Sequence, residues 1–364
     1  MRYRVGVRRF STTFKGSKTE ASKELRRLVH SGDTGEHVSP SKVTFAAWVD
    51  HWISLGCPGK SKQEVTRRTV SRYAELLRVH VKPVLGKKVM QKITATDIDK
   101  LYAVVAGKVS GTTCHHIHVV LGSCLSAAVR KKIIPRSPVD GVERVPKMSE
   151  FDHIVLDEAD LVRLVEGFKG STIYPIVAVA AYTGARLREV LALRWVDVDL
   201  ANRTISITRA IEEGAGWRGI KKPKTARGVR TIQIDGGLAG LLAAYRERQQ
   251  RLVAGIPDGV EDVDLSLVRL PDGALLFPGG AGADLTQLGH GNNVSTAFRA
   301  RADRLGFHGF RFHDLRGSDE TALLDRGIPV HVVAARCGHD PAMLLRVYAR
   351  RTKKADDTAA AGGP

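Results

Sequence analysis

The sequence predicts a mainly α protein with small β-sheets, an α+β class, built from three domains. Apolar residues recur at helical spacing through most of the chain, whereas the alternation typical of strands is confined to short runs. A length of 364 residues suits two or three domains. The composition, 43% hydrophobic and 26% charged, is that of folded domains rather than of a disordered basic tail.

Positive charge is concentrated in the first part of the chain. The net charge is +19, and residues 1–40 hold nine Lys and Arg against four Asp and Glu. Residues 41–148 hold 19 against seven, but residues 149–364 hold 29 against 27. This asymmetry predicts a front part that grips a nucleic acid and a back part with a different task.

The first 40 residues predict a small β-sheet with one helix packed on it. Basic and apolar residues alternate over 2–10, a second short strand is predicted over 11–14, and helical spacing follows over 19–29. The glycines and proline within 30–41 indicate a linker.

Residues 41–148 predict a compact domain of four helices. Thr44 is suited to cap the first, whose Trp48 and Trp52 are predicted to lie in the core. The second is predicted over 62–81, with Lys82-Pro83 as its end, and the third from Thr94, with Ile98, Leu101, Tyr102 and Val105 inward. The fourth is predicted over 115–131 and carries Val119, Val120, Leu121, Leu125 and Ala128.

Histidines and cysteines leave one alternative open. The string Cys114-His115-His116-Ile117-His118 suggests a metal site, but no second cluster completes a tetrahedral set, so a helix start whose histidines face DNA or solvent is favoured. The four cysteines form no C-x-x-C pair, which fits a reducing compartment. No apolar stretch reaches the roughly 18 residues of a membrane span, and no secretory signal is evident, so a cytoplasmic protein is expected.

The back part predicts mixed elements. Helices are predicted from about residue 156, over 171–184 and over 188–193, and strands over 204–207 and 230–234. A basic turn, Lys221-Lys222-Pro223-Lys224-Thr225, lies between the two strands, and the chain after 271–282 is predicted to be helical.

Four polar clusters in this back part carry the chemistry. They share cationic donors and include one hydroxyl: Thr183-Gly184-Ala185-Arg186-Leu187-Arg188-Glu189, Pro223-Lys224-Thr225, His313-Asp314-Leu315-Arg316, and Gly338-His339 followed by Tyr348. Neither a catalytic metal pattern nor a phosphate loop of the G-x-x-x-x-G-K-[ST] type is present. Guanidinium forks, a proton donor and a nucleophile are what a metal-free phosphodiester transfer requires.

This ordered series resembles the tyrosine recombinase, or phage integrase, family over essentially the whole chain. The resemblance implies an arm-type DNA-binding domain in residues 1–40, a helical, SAM-like core-binding domain in 41–148 and a mostly helical catalytic domain with a β-hairpin sheet in 149–364. It also implies a site-specific recombinase that acts as a homotetramer on double-stranded DNA at core and arm attachment sites, with an excisionase and a DNA-bending protein as further partners. No cofactor, metal or membrane is implied.

The resemblance also assigns roles to single residues. Arg186 and Arg316 would clamp the scissile phosphate, and His339 would donate a further hydrogen bond to it. His313 would transfer a proton to and from the nucleophile Tyr348, which would form a 3′-phosphotyrosine.

Two supporting roles follow as well. Lys224 would protonate the leaving 5′-oxygen, and Lys221 and Lys222 are neighbouring candidates for the same role. Glu189 would organise the basic groups next to its own carboxylate. The residues expected to contact DNA in the front part are Arg8, Arg9, Lys15, Arg67, Arg68, Arg72, Lys131 and Lys132.

Departures from the family pattern keep two other functions open. After Arg316 the chain continues Gly317-Ser318-Asp319-Glu320, and two carboxylates there weaken the phosphate clamp unless they face away. Cys337 replaces a usual leucine, and the abrupt start at Met1 indicates a missing first strand or a misplaced start codon. The alternatives are a catalytically impaired, sequence-specific DNA-binding protein and a DNA-relaxing enzyme of the type IB topoisomerase kind.

Overall fold

A computed structural model describes residues 1–5, 8–11, 13–33, 38–59, 64–149, 153–214, 216–223, 226–257, 260–280 and 282–345. The backbone contacts divide the chain into two compact units, Met1–Phe151 and Asp152–Pro364. The finer division into three domains, with boundaries after residues 40 and 148, stays a prediction.

The first unit opens with a two-stranded antiparallel sheet and a helix. Strands β1 (Arg2–Val5) and β2 (Arg8–Ser11) pair with Tyr3 opposite Phe10, and helix α1 is Lys18–Asp33. Both strands therefore lie within residues 2–11, which is the run predicted as the first strand and one further residue. The separate strand predicted over 11–14 is wrong. The helix extends four residues beyond its predicted end.

The rest of this unit is built from four helical segments, one of which consists of two α-helices joined by a π-helical turn. Helix α2 (Phe45–Ser54) is capped by Thr44 as predicted, because its hydroxyl accepts the Ala47 N–H, and Trp48 and Trp52 are buried. The remaining helices are α3 (Arg67–Leu76), α4 (Lys82–Leu85), α5 (Ala95–Ala106) and α6 (Gly111–Arg130). The four inward residues predicted for α5 are all buried.

The second predicted helix differs from expectation at both ends. Its predicted start at Lys62 lies outside the described residues, and α3 begins after Thr66, whose hydroxyl accepts the Thr69 N–H. It continues through a π-helical turn, Leu77–Val81, into α4, so the prediction that Lys82-Pro83 ends the helix is wrong. The π turn widens the helix next to a proline that lacks an N–H donor, and buried Leu77 and Val81 keep this stretch on the core.

The histidines of α6 make protein contacts. His118 Nδ1 lies 2.7 Å from the Tyr102 hydroxyl, and His115 Nδ1 donates to the Pro146 carbonyl at 2.8 Å. In the part of the chain that the structure describes, no group of three or more His, Cys, Asp or Glu is placed to hold a metal ion. On this helix Val120 and Leu121 are buried, whereas Val119 is 49% exposed.

The second unit begins with three helices, of which the middle one is largely buried. Helix α7 (Glu158–Glu166) starts where predicted, capped by Asp157, and α8 (Tyr174–Thr183) has eight buried residues among its ten. Helix α9 (Leu187–Val190) is shorter than the predicted 188–193, because the backbone of residues 193–195 pairs instead with residues 274–276.

A three-stranded antiparallel sheet follows in the order β3 (Val198–Asp199), β4 (Thr204–Ile207) and β7 (Arg230–Gln233). In the sequence, a separate hairpin of β5 (Ala210–Gly214) and β6 (Trp217–Lys221) lies between β4 and β7. This hairpin was missed by the sequence analysis. Most of its residues are only half-buried, so it lacks the apolar alternation that marks the other strands.

Four further helices complete the described part of the second unit: α10 (Gly236–Val253), α11 (Gly291–Arg304), α12 (Asp314–Asp325) and α13 (Val330–Cys337). Helix α10 was also missed by the sequence analysis. The predicted class, mainly α with small sheets, is confirmed. None of the helices in the described ranges combines the length and the apolar character needed to cross a bilayer.

Candidate active site

Described residues from all four predicted clusters of the second unit line one cavity of about 550 Å³. The lining comes from α9 and the residue before it, the hairpin of β5 and β6, the chain between β6 and β7, the start of α11, the residue before α12 and the turn after α13. The side chains that carry charge or titrate there are Arg186, Arg188, Glu189, Lys221 and His313. Residues more than 120 positions apart in sequence are thereby brought to one place.

Arg186 is presented by a sharp turn between two helices. Helix α8 ends at Gly184, whose φ of +60° places it in the left-handed region that favours glycine. Arg186 then occupies the cap position of α9, and Glu189 accepts both its backbone N–H and its Nη1–H at 2.9 Å. The Arg186 side chain stays 40% exposed, so most of its donors remain available at the cavity.

Arg316 is buried, with 3% of its side chain exposed. Its Nη1 donates to the Gly184 carbonyl at 2.6 Å, and its Nε lies 3.0 Å from both His339 Nε2 and Glu320 Oε1. Its Nη2 has no hydrogen-bond partner among the described residues. A buried guanidinium nitrogen without a partner is costly, and an anionic oxygen from a ligand would satisfy it.

The charge of this pocket affects its own groups. Burial lowers the pKa of Arg316, and the nearby charge of Arg186 lowers it further. Burial, followed by the charge of Arg316, also lowers the pKa of His313, although that ring borders the cavity. His313 is therefore neutral near pH 7, which is the form able to accept a proton.

His339 follows a glycine turn at the end of α13. Gly338 has a φ of +69°, and a Cβ there would lie 3.0 Å from the Arg227 carbonyl oxygen and 3.1 Å from Arg230 Nη1. The turn therefore requires glycine, and it places His339 Nε2 2.8 Å from Glu320 Oε1. The preceding Cys337 is fully buried, in agreement with a packing role.

The two carboxylates that depart from the family pattern do not face away. Glu320 contacts both Arg316 and His339, whereas Asp319 is buried and its Oδ2 has no hydrogen-bond partner among the described residues. Burial raises the pKa of Asp319 to about 7, even though the charge of Arg336 acts in the opposite direction. Of these two carboxylates, Glu320 is paired with Arg316 and His339, whereas no ion pair of Asp319 is found among the described residues.

Glu189 joins Arg186 to a second arginine that the sequence analysis missed. Burial raises the pKa of Glu189, but the hydrogen bond and charge of Arg230, followed by the Arg186 N–H and charge, bring it below its usual range. Arg230 lies two and four residues before Ile232 and Ile234, both buried. An arginine on the apolar face of a strand was the signal that could have identified it.

Several predicted residues are outside the described residues or do not line the cavity. Lys224 and Tyr348 are outside the described residues, as is the side chain of Arg8. Of the competitors of Lys224, Lys221 donates to Glu212 at 3.1 Å and Lys222 is exposed. The remaining residues predicted to contact DNA are all exposed in the first unit: Arg9, Lys15, Arg67, Arg68, Arg72, Lys131 and Lys132.

Comparison with solved structures supports the fold. The integrase of transposon Tn1549 bound to transposon right end DNA has a TM-score of 0.66 and 17% identity, over 88% of this chain and all of that one. A lambda integrase tetramer bound to a Holliday junction has a TM-score of 0.58 and 14% identity, over 93% of this chain and 92% of that one. At these identities the likeness establishes the fold alone.

Sequence comparison establishes the family. An integrase of Streptomyces ambofaciens is 25% identical over 353 residues, 94% of this chain and 86% of the relative. The model of the N-terminal SAM-like domain of phage integrases matches residues 44–103, and the model of the phage integrase family matches residues 155–355. Since the latter covers more than half of the chain, the protein belongs to the phage integrase family of tyrosine-type site-specific recombinases.

Proposed function

We propose that this recombinase cuts and rejoins DNA through a 3′-phosphotyrosine intermediate on Tyr348, integrating and excising a phage or another mobile element. The observation that carries the proposal is the buried Nη2 of Arg316, which has no hydrogen-bond partner among the described residues, in a guanidinium group close enough to Arg186 for the two charges to interact. Two guanidinium groups in this arrangement suit the non-bridging oxygens of one phosphate.

The transfer balances with the groups of the chain alone. The Tyr348 oxygen bonds to phosphorus while the bond from phosphorus to the 5′-oxygen breaks. His313 takes the phenolic proton, and Lys224 supplies the proton of the departing 5′-hydroxyl. Attack by a 5′-hydroxyl from another strand reverses these movements and releases Tyr348, so the phosphodiester energy is conserved and no cofactor is needed.

Stabilisation of the transition state falls to the clamp. A pentacoordinate phosphorane carries more negative charge than the ground-state phosphate, and Arg186, Arg316 and His339 supply preorganised donors for it. The neutral form of His313 suits the removal of the phenolic proton, since a phenol ordinarily titrates near pH 10.

The basic first unit supports the proposed DNA contacts. We place arm-site binding in residues 1–40, core-site binding in residues 41–148 and catalysis in residues 149–364, in the bacterial cytoplasm. A homotetramer that exchanges strands in pairs is proposed by analogy with the lambda integrase tetramer on its Holliday junction. An excisionase and a DNA-bending protein complete the proposed set of partners.

The comparisons favour neither alternative, the inactive DNA-binding protein or the DNA-relaxing enzyme of the topoisomerase kind. One experiment tests all three functions. The full chain selects its core site from a random duplex library, and a nicked duplex carrying that site is then incubated with it. We expect an SDS-resistant adduct with wild type and none with Tyr348→Phe.

A matched control is Tyr245→Phe, since that ring packs between Trp195 and Phe277 and does not line the cavity. It should form the adduct at the wild-type rate. An adduct with Tyr348→Phe would contradict the assigned nucleophile, and no adduct with wild type would contradict the enzyme. Relaxation of a plasmid with two sites, without recombinant products, would favour the topoisomerase.

A further inference from the structure

Arg230, which no motif of the family series includes, is almost fully enclosed at the active site. Only 6% of its side chain is exposed. Its Nη2 donates to Glu189 Oε2 at 2.8 Å, its Nε donates to the Arg336 carbonyl at 2.7 Å, and its Nη1 donates to the Gly228 carbonyl at 3.2 Å. All three nitrogens of the guanidinium group therefore have partners in the protein.

These three partners belong to three different segments of the site. Glu189 holds the backbone and the side chain of Arg186 on α9. Arg336 lies in the last turn of α13, three residues before His339. Gly228 ends the short helical turn Ala226–Gly228, which follows the segment that contains Lys224. One side chain on β7 thus connects the Glu189 carboxylate that holds Arg186, the end of α13 before His339 and the turn that ends at Gly228.

The backbone around Arg230 is fitted to this position. The Cβ of any residue replacing Gly338 would lie 3.1 Å from Arg230 Nη1, so the glycine turn before His339 also permits the close approach of this guanidinium group. The Glu189 carboxylate is buried and ionised between Arg186 and Arg230, with a pKa below its usual range despite the opposing effect of burial. Without Arg230 it would retain only Arg186 as a cationic partner among the described residues.

We infer that Arg230 is a positioning residue for strand cleavage, which holds Arg186, His339 and the Ala226–Gly228 turn in one register without contacting DNA. The inference rests on the proposed function and extends it to a residue outside the recombinase motif series. Lysine cannot reproduce it, since one ammonium group cannot reach the planar, three-way set of acceptors that the guanidinium group satisfies.

The test compares cleavage with binding and stability. Arg230→Ala and Arg230→Lys are assayed in the full chain for the single-turnover rate of adduct formation on the nicked, library-selected duplex, for affinity to that duplex, and for thermal stability. We expect Arg230→Ala to lower the cleavage rate about 10²-fold, the typical effect of a displacement of about 1 Å in a reacting group, with affinity within about threefold. Arg230→Lys should recover about tenfold of the lost rate.

Arg209→Ala is the matched control. Arg209 donates to both oxygens of Asp197, at 2.9 and 3.2 Å, and its side chain is only 17% exposed, but it does not line the cavity. It should lower the melting temperature like Arg230→Ala and leave the cleavage rate within about threefold of wild type. A similar loss of cleavage in Arg209→Ala, or wild-type cleavage in Arg230→Ala, would overturn the inference.

A structural measurement separates this inference from the proposed function. In crystals of Arg230→Ala, the Arg186 guanidinium and the Gly338-His339 turn should be displaced relative to wild type by about 1 Å. Unchanged positions would overturn the inference even if wild type formed no adduct, whereas the absence of an adduct from wild type would overturn the proposed function only.

Discussion

Two arrangements of the second unit have nearly the same local chemistry. In the first, Glu189 accepts the backbone N–H of Arg186 at 2.9 Å and bonds Arg230. In the second, Asp197 accepts the backbone N–H of Arg194 at 2.9 Å and bonds Arg209. Each is an Arg-x-x-acid pair that caps a short helical turn and recruits a second arginine, and in both the acid is buried.

The two arrangements differ in what surrounds them. The chain around Arg194 pairs with residues 274–276, since Trp195 N–H donates to the Ala274 carbonyl and Leu276 N–H donates to the Leu193 carbonyl. Arg186 instead follows the left-handed turn at Gly184 and lines the cavity with His313. The same bonding unit therefore fixes a turn in one place and presents a cation to a cavity in the other.

Removing the first arginine of each arrangement gives the largest predicted difference. Arg186→Ala should lower the rate of adduct formation about 10³-fold, because a preorganised donor to the transition state is lost. Arg194→Ala should leave that rate within about threefold of wild type. Single-turnover cleavage of the nicked, library-selected duplex measures both, and equal losses would show that the two arrangements do not differ in function.

A further carboxylate, Glu320, contacts Arg316, one of the two arginines proposed to hold the phosphate. Glu320→Gln removes the charge 3.0 Å from buried Arg316, so the free energy of unfolding of the free protein should fall by about 1–3 kcal/mol. In the DNA complex, the bound phosphate should restore part of this loss. The core-site duplex should therefore raise the free energy of unfolding of Glu320→Gln by more than it raises that of wild type. Thermal melts with and without duplex measure the difference.

The control for Glu320 is an exposed ion pair. Glu158 and Arg326 are paired with more than half of each side chain exposed, so Glu158→Gln should change the free energy of unfolding by less than about 1 kcal/mol, with or without duplex. If Glu320→Gln behaved in the same way, its contact with Arg316 would contribute nothing measurable.

Replacing Asp319 gives the smallest of the predicted effects. Unlike the replacement of Glu320, it should raise the free energy of unfolding. Its pKa of about 7 in the folded protein lies above the ordinary value near 4, so the folded state holds its proton more tightly and stability falls as pH rises from about 4 to 7. Asp319→Asn should therefore raise the free energy of unfolding at pH 8 by about 1–2 kcal/mol and flatten this dependence. Melts from pH 5 to 8 test it, and destabilisation at pH 8 would contradict the prediction.

Much of the fold was accessible from local patterns. The Thr44 cap, the start of α7, the buried tryptophans of α2 and the strands over 204–207 and 230–233 were predicted from patterns that span a few residues. The hairpin of β5 and β6 was missed because its strands are only half-buried and carry no apolar alternation. The helix was wrongly predicted to end at Lys82-Pro83. A proline in the sequence indicates the end of a helix, but it does not reveal that a π turn lets the helix continue through Pro83.

For the site, the sequence by itself determined the residue types, their order and the family, because a fixed series of Arg, His, Gly-His and Tyr motifs is a local property of the chain. Only the tertiary structure decided which arginine faces a cavity, that Glu320 contacts Arg316 and His339, and that Arg230 connects three segments. Arg186-x-x-Glu189 and Arg194-x-x-Asp197 have the same spacing, and their difference depends on residues more than 70 positions away. Burial and charge pairing are set by such distant neighbours, which a local pattern does not contain.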